Sequence, residues 1–279
     1  MSRLRQDLNR TSLLLSWLIV VVLFTSAGCM GPIKGTIALR DAQNLFNEAS
    51  IETLKQYKNS VDSQDLEGLP PASPREKYQR VVEIIEGQVL GSVSRDDLKV
   101  NAQALAAFAH WRLGNFKEAK NTAEEGLDLY RRSGLVTNRR DYGMLLILRG
   151  LVTHSEAYRD YQGKRDQVAF LSPADAADFT RSIQEALAKI DEINKEMDKN
   201  EPIVIYANQQ QLRIIKNILD VWGSVKLKED RKQEICDWSS GADTIYKTRF
   251  PDEDYPAKPH VDQLHKEIEE LKALHEPCS

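Results

Sequence analysis

The stretch "ALAAFAHWRLGNFKEAKNTAEEGL" at residues 104–127 decides the fold of this protein. Apolar residues recur every three or four positions on both sides of Gly114, which is the pattern of two amphipathic helices separated by a turn. Two antiparallel helices joined by a tight turn can approach closely only over small side chains, and Ala107 and Ala119 lie where such a crossing would occur. The stretch therefore predicts a closely packed helical hairpin.

The rest of the 279-residue chain is also predicted to be helical. Proline and glycine are few, and the only strand-like run, "IVIYA" at 203–207, continues into a helical pattern. Three helices open with a capping motif that has serine as its N-cap, "SPRE" at 73–76, "SRDD" at 94–97 and "SPAD" at 172–175. The predicted helices cover about 37–61, 73–90, 96–113, 116–132, 139–161, 172–199, 202–227, 229–240 and 261–274, with a breaker-rich stretch at 241–259.

The opening stretch resembles a tetratricopeptide repeat (TPR). The match rests on residues in positions that the repeat reserves for small, aromatic, turn-forming or inner-face side chains: Ala107, Gly114, Phe116, Ala119, Ala123, Gly126 and Leu127. The resemblance implies an all-α fold, a TPR-like α-α superhelix of antiparallel helix pairs over 37–199. Residues 200–279 would be a C-terminal helical extension whose last helix caps the array. The alternative is an irregular helical bundle that contains one chance match.

In TPR proteins ligands usually bind the concave surface, which the first helix of each pair lines. The resemblance therefore implies that Asn101, Phe108, Trp111 and Arg112 face a groove. Asn101 and Arg112 would hold a peptide backbone or a carboxylate, and the two aromatic rings would provide apolar contact. The alternative is that Phe108 and Trp111 pack against a neighbouring helix. Arg112 is the stronger groove candidate because arginine is rarely buried without a partner.

The N-terminus has the three parts of a secretory signal. Arg3, Arg5 and Arg10 make a basic region, "LLLSWLIVVVLF" at 13–24 is an apolar run, and small residues follow it. As a helix this run would rise only about 18 Å, whereas a bilayer core is about 30 Å thick. Residues 1–28 are therefore predicted to be a signal peptide, with an uncleaved membrane anchor as the alternative.

Cys29 ends this segment in "LFTSAGCMG" at 23–31. The stretch resembles the lipobox of bacterial lipoproteins, with small residues before the cysteine and Ser26 in place of the usual leucine. The resemblance implies cleavage before Cys29 and attachment of a diacylglyceryl group and a further acyl chain of the palmitate type. Two or more chains anchor a protein stably where one does not. Residues 29–36 would be a lipidated tether, and Met30, in place of an aspartate, favours the outer membrane.

The charge distribution argues against a nucleic-acid binder. The formal net charge is −4, and removal of residues 1–28 would bring it to −6, with both signs mixed along the chain. The arginine pairs at 131–132 and 139–140 are the nearest approach to a basic cluster and are interpreted as a solvated helix end and loop. Nucleic-acid binding would need a concentrated basic face.

The sequence predicts no catalytic, cofactor or metal site. It lacks a phosphate-binding glycine loop, HExxH and G-x-S-x-G, and the histidines in or beside the last helix are not spaced to bring two imidazoles together. Cys236 and Cys278 are a candidate disulfide in an exported protein, with two free thiols as the alternative. The aromatic residues of 238–255 are interpreted as a loop that covers the end of the helical array, with a binding loop as the alternative.

These observations favour a protein that binds without catalysing a reaction. The leading hypothesis is a lipid-anchored periplasmic adaptor on the periplasmic face of the bacterial outer membrane, which binds another envelope protein or peptide in a TPR-like groove. One alternative is a small-molecule-binding accessory component of an envelope transporter. Another is an envelope enzyme acting on cell-wall polymer, which would need two opposed carboxylates.

Overall fold

The computed structural model describes residues 33–53, 72–135, 139–168, 170–225, 228–251 and 254–275. Within these ranges it confirms the predicted all-α fold, because they contain helices and no strand, only an isolated bridge between Leu171 and Val225. Helix α2 continues into a π-helical turn at Ile85–Val89. The helices are α1 (33–53), α2 (Ala72–Ile84), α3 (Asp96–Leu113), α4 (Phe116–Arg132), α5 (Arg139–Arg165), α6 (Pro173–Asp191), α7 (Ile193–Glu196), α8 (Pro202–Gly223), α9 (Lys228–Arg249) and α10 (Lys258–His275).

Helices that follow one another in the chain pack against one another. Helix α3 contacts α4, α5 contacts α6, and α8 contacts α9, so these helices form three pairs. The pairs are connected by contacts of α4 with α5 and of α6 with α8, and the first helices α3, α5 and α8 also contact each other in turn. Helix α10 packs against α8 and α9. One apolar core therefore extends from α3 to α10.

Helix α3 is buried on two sides. One side, which includes Ala104, Ala107 and Phe108, belongs to the core shared with α4 and α5. The other side, which includes Leu105 and Ala109, belongs to a second core shared with α1 and α2. The sequence of α3 therefore lacks the polar stripe of an ordinary surface helix, and its alanines let neighbours approach from both sides.

The turn predicted at Gly114 is confirmed. Gly114 has a φ of 76°, in the left-handed region that glycine adopts without steric cost. Its N–H donates to the Trp111 carbonyl at 3.0 Å, and the N–H of Asn115 donates to the His110 carbonyl at 2.9 Å. These bonds satisfy carbonyls at the end of α3, so α4 can begin at Phe116.

The small residues of the hairpin lie where helices cross. Ala119 and Ala123 are fully buried in the core. A Cβ atom on Gly126 would lie 2.8 Å from Leu145 Cδ1 of α5 and 3.0 Å from Gln103 Cβ of α3. Real Cβ atoms do not approach other atoms so closely, so the absence of a side chain at Gly126 is what lets α4 lie between α3 and α5 at this distance.

Helices α5 and α6 approach each other at Gly150 in the same way. A Cβ atom on Gly150 would overlap Ile190 Cγ1 and would lie 2.6 Å from the carbonyl oxygen of Ala186. The carbonyl belongs to the backbone of α6, so it can move only if the whole helix shifts. This position therefore accepts glycine alone without loss of packing.

The predicted serine caps were right at one helix and wrong at two. Ser172 accepts the backbone N–H in the first turn of α6 at 3.2 Å, as predicted. Ser73 lies within α2, and its hydroxyl donates to Glu52 Oε2 of α1 at 3.1 Å. The N-cap of α3 is Arg95, whose side chain donates from Nε to Asp97 Oδ1 at 3.0 Å. Neither helix has the predicted serine cap, because the Ser73 hydroxyl contacts α1 and α3 begins after Arg95 without a side-chain cap hydrogen bond.

Two predicted boundaries also differ from the structure. Helix α9 continues through Gly241 to Arg249, so the predicted breaker-rich stretch 241–259 begins as helix. Ala242 is fully buried there, and core packing outweighs the low helix propensity of the glycine before it. Helix α1 already includes residues 33–36, which the sequence assigned to the tether.

The cysteines are only partly covered by the described ranges. Cys236 on α9 is disulfide-bonded. Cys29 and Cys278 lie outside the described residues, as does the predicted signal peptide 1–28, so the pairing of Cys236 with Cys278 stays a prediction. Within the described ranges, no helix combines the length and the apolar character that crossing a bilayer requires.

Helix α8 carries a partly buried acidic group, Asp220, near its C-terminal end. Burial raises the pKa of the Asp220 carboxyl above its usual value of 3.8, and the charges of Lys216 and Arg165 offset this effect only in part. Lys216 is itself paired with Glu267 at 3.1 Å. The C-terminal end of a helix also disfavours a negative charge. The ionised Asp220 therefore reduces stability at neutral pH.

The crossing at Gly150 generates the first prediction. Gly150→Ala should lower the free energy of unfolding by about 1–3 kcal/mol, because the new methyl group must displace Ile190 or the α6 backbone. The matched control is Gly163→Ala in the same helix, where a Cβ atom would meet nothing within 4 Å. This control should gain up to about 1 kcal/mol from higher helix propensity. Urea unfolding followed by circular dichroism measures both, and equal effects at the two glycines would contradict the close crossing.

The partly buried Asp220 carboxyl generates the second prediction. Asp220→Asn should raise the free energy of unfolding by about 1 kcal/mol at neutral pH. Because the folded-state pKa is raised, the folded protein holds this proton more tightly than the unfolded chain does. The wild-type protein therefore loses stability as the pH rises from 3.8 through the folded-state pKa. The difference in free energy of unfolding between the variant and the wild type should vanish below pH 3.8 and reach its full value above the folded-state pKa.

Chemical unfolding at a series of pH values measures this difference. Asp178→Asn, at an exposed residue paired with Arg181, is the control and should change the free energy of unfolding by less than about 0.5 kcal/mol. If the advantage of Asp220→Asn does not depend on pH, burial of the ionised carboxyl is not its cause.

Candidate binding cleft

A cleft of about 570 Å³ lies between the first helices of successive pairs. Its walls come from α1, α3, the start of α5 and the start of α8. Most lining residues are apolar or aromatic, and two arginines and one glutamate accompany them: Phe46, Ser50, Phe108, Arg112, Arg140, Met144, Glu201, Pro202, Ile203 and Tyr206. A concave apolar site with a few convergent polar groups is the usual form of a ligand site.

Two of the residues predicted to face a groove line this cleft. Phe108 forms part of the cleft wall, and it is at the same time a buried member of the core. Arg112 lies one turn further along α3, and its guanidinium carbon is 4.5 Å from the centroid of the Trp111 ring. That distance allows a cation–π interaction, which holds the guanidinium beside the cleft.

Trp111 packs next to the cleft and is absent from its lining residues. Its Nε1 donates to Ser155 Oγ of α5 at 2.9 Å. Its ring meets Phe108 edge to face, with centroids 5.8 Å apart and an interplanar angle of 89°. For Trp111 the structure therefore shows the alternative that the sequence left open, which is packing against a neighbouring helix. The ring serves as the support on which Arg112 lies.

Asn101 is not brought to the cleft. It lies near the start of α3, where its Nδ2 donates to Asp141 Oδ2 of α5 at 3.0 Å. Burial raises the pKa of the Asp141 carboxyl, and the hydrogen bond from Asn101 opposes that rise. The structure thus gives Asn101 a connecting role between the starts of α3 and α5.

The cleft also contains residues that no sequence pattern marks as groove residues. Arg140 and Met144 come from the first turns of α5, and Tyr206 comes from the start of α8. Arg140 belongs to the arginine pair at 139–140 that was interpreted as a solvated helix end and loop. These residues lie on first helices, which could have indicated them. Only α3 matches the repeat clearly enough to show which of its residues face a groove.

The cleft has an excess of positive charge. Glu201 Oε1 lies 3.5 Å from Arg139 Nη2, so this carboxylate already has a partner. In the described part of the chain, no carboxylate forms a salt bridge with Arg112 or Arg140. These two guanidinium groups therefore lie beside apolar surface and can receive an anionic group from a ligand.

The buried histidines connect neighbouring helices and do not line the cleft. His110 Nε2 lies 3.0 Å from Glu86 Oε1, and His154 Nε2 lies 3.3 Å from Asn217 Nδ2. Glu201 is the one carboxylate among the described lining residues. The hypothesis of a cell-wall enzyme requires two opposed carboxylates and draws no support from this cleft.

The aromatic residues of 238–255 join α9 to the segment that follows it. Tyr246 lies on α9 and stacks on His265 of α10, with centroids 4.0 Å apart. Phe250 stacks on Tyr255 at 6.1 Å, and burial is the main cause that raises the pKa of Tyr255 to about 12. These rings pack against one another and against α10, and the first of them lie on a helix and not in the predicted loop.

No protein-family model matches this sequence. No curated protein and no solved structure matches it significantly either. The resemblance to TPR proteins therefore rests on the residues of 104–127. Function has to be inferred from the cleft and from the N-terminal sequence.

Proposed function

We propose that this protein is a lipid-anchored adaptor of the bacterial envelope. It would be held on the periplasmic face of the outer membrane through Cys29, and it would bind a segment of another envelope protein in the cleft. The observation that carries the proposal is the cleft itself, with apolar walls and two arginines that form no salt bridge with a described carboxylate. Contacts between successive first helices further support a TPR-like array, in which such surfaces bind partners.

The lining indicates which kind of segment would fit. Phe108, Met144 and Tyr206 offer apolar and aromatic surface, and Arg112 and Arg140 offer charge-assisted hydrogen bonds. A helix or extended peptide with a large apolar side chain close to a carboxylate would use both features. A strongly basic segment would be repelled by the two guanidinium groups.

The position of α1 supports a lipid anchor close to the folded part of the protein. The described part of α1 begins four residues after Cys29, and four residues reach at most about 14 Å. On its first two turns Ile33 and Ile37 expose 62% and 47% of their surfaces. Lipidation of Cys29 would bring these exposed apolar side chains to the bilayer surface, where they could be partly buried.

A small-molecule-binding accessory component of an envelope transporter is the second candidate. The observation in its favour is the cleft volume of about 570 Å³, which falls in the range of small-molecule sites. An anionic solute with an apolar body would contact the same arginines. Saturable binding of such a solute by the purified protein, without any protein partner, would favour this candidate.

Photo-crosslinking tests the adaptor. A photoreactive amino acid at Met144 should capture one envelope protein in intact cells, because this position lies inside the cleft. Arg112→Glu or Arg140→Glu should reduce that crosslink by at least about tenfold, because each reverses a charge that faces the ligand. Immunoblotting measures the yield, and mass spectrometry identifies the captured protein and the crosslinked peptide.

The control variant is Arg181→Glu on α6, an exposed arginine that does not line the cleft. The control position for the photoreactive residue is Lys120, which is exposed on α4. Circular dichroism checks that each variant is folded. Capture of the same protein from positions 120 and 144, or a yield that ignores the cleft arginines, would show that the partner binds elsewhere.

The lipid anchor is tested separately. Cys29→Ala should move the protein from the membrane fraction to the soluble fraction and should abolish incorporation of radiolabelled palmitate, because the thiol that receives the lipid is gone. Membrane flotation and labelling measure the two effects. Cys236→Ala, which removes a disulfide-bonded cysteine but not the proposed lipid site, is the control. Continued flotation of Cys29→Ala would favour an uncleaved N-terminal anchor.

A further inference from the structure

We propose that Asp243 of α9, together with His265 and Glu269 of α10, forms a Zn²⁺ site that fastens α10 to α9. Each residue offers one ligand atom, and the three ligand atoms lie within 4.8 Å of one another. His265 and Glu269 are four residues apart, so they share one face of α10. Asp243 reaches the same point from α9. This group could not be predicted from the sequence, because Asp243 lies 22 residues before His265 in the chain.

One oxygen of each carboxylate faces a lysine, and we assign the other oxygen to the metal. Asp243 Oδ2 lies 3.7 Å from Lys247 Nζ, and Glu269 Oε2 accepts from Lys272 Nζ at 3.4 Å. Asp243 Oδ1 lies 2.7 Å from His265 Nε2. Glu269 Oε1 is buried and has no hydrogen-bond partner in the described part of the protein, while the Glu269 side chain as a whole is 40% exposed. A buried carboxylate oxygen without a partner is unfavourable, and a cation would satisfy it.

The imidazole of His265 is already oriented for this role. Its ring stacks on Tyr246 with centroids 4.0 Å apart and an interplanar angle of 11°. The Tyr246 hydroxyl in turn donates to Asp262 Oδ1 at 2.9 Å, which connects the ring to α10. Nε2 points at Asp243, so it also points at the proposed metal position. In the metal-bound form Nε2 is the electron-pair donor, and the imidazole proton resides on Nδ1.

The spacing and the ligand types fit Zn²⁺. Tetrahedral Zn²⁺ with bonds of about 2.0–2.2 Å holds its ligand atoms about 3.3–3.6 Å apart. The ligand atoms of this group are separated by distances from 2.7 Å up to at most 4.8 Å, so small side-chain rotations suffice. An imidazole nitrogen with two carboxylates suits Zn²⁺, whereas Mg²⁺ and Ca²⁺ take oxygen ligands. Water would supply the fourth ligand.

The neighbouring lysines set the expected strength of binding. Lys247 and Lys272 offset the charges of Asp243 and Glu269, so the group is close to electrically balanced before a metal enters. Binding must displace part of that interaction. We therefore expect micromolar affinity and not the tight binding of a zinc finger.

Zn²⁺ binding to the full-length protein in detergent tests the proposal. Competition with a chromophoric chelator should give one Zn²⁺ per chain, and X-ray absorption should show nitrogen and oxygen ligands at about 2.0 Å without sulfur. Zn²⁺ at about ten times its Kd should raise Tm by about 3–6 °C, because the metal binds the folded state. Mg²⁺ and Ca²⁺ at the same concentration should have no effect.

Matched variants locate the site. Glu269→Gln should weaken Zn²⁺ binding by at least about tenfold, and it preserves the size of the side chain. Glu270→Gln, at the next and more exposed position, and His260→Ala, at an exposed histidine of the same helix, should bind as the wild type does. His265→Ala should abolish binding. If loss of the His265–Tyr246 ring contact unfolds α10 in that variant, Glu269→Gln still tests the site. Absence of Zn²⁺ binding, sulfur ligands, or wild-type affinity in Glu269→Gln would overturn the proposal.

Discussion

The close approach of helices over small side chains is the constraint on which the rest of this structure depends. Gly126 of α4 faces α3 and α5, which leave no room for a Cβ atom at this position. Gly150 of α5 faces α6, which also leaves no room for one. When backbones approach this closely, the larger side chains must pack on either side of the crossing, which is why the core is continuous from α3 to α10. The same approach makes α3 and α5 neighbours, and the cleft is the surface that these first helices present together with α1 and α8.

The parts of the fold that depend on neighbouring residues could be predicted from the sequence. The turn at Gly114 and the cap at Ser172 are determined within a few residues, and both are present in the structure. Features that depend on distant residues could not be predicted in the same way. Ser73 uses its hydroxyl to bind Glu52 of α1 instead of capping its own helix. Helix α9 continues through Gly241 because the residues after it pack into the core.

The residues of the candidate cleft also fall into two groups, those that a local sequence pattern predicts and those that depend on how distant helices pack. Phe108 and Arg112 were predicted because they share a helix with a clear repeat pattern, and both line the cleft. Asn101 shares that helix but precedes Arg112 by eleven residues, which is about 16 Å of helix, and it lies outside the lining. Arg140 and Met144 were not predicted, because the rotation of α5 relative to α3 follows from how the helices cross and not from any local pattern.

The way in which Arg112 is held determines how well the cleft can bind. Helix α3 is buried on both sides, so the backbone that carries Arg112 has little freedom. The guanidinium lies on the Trp111 ring, and that ring is fixed by its hydrogen bond to Ser155 and its contact with Phe108. Ordering a free arginine on binding costs about 0.5–1.5 kcal/mol, and much of this cost is already met in the free protein. If the proposed ligand binds there, its carboxylate would meet a cation that is already in place, and more of the charge-assisted interaction would remain as affinity.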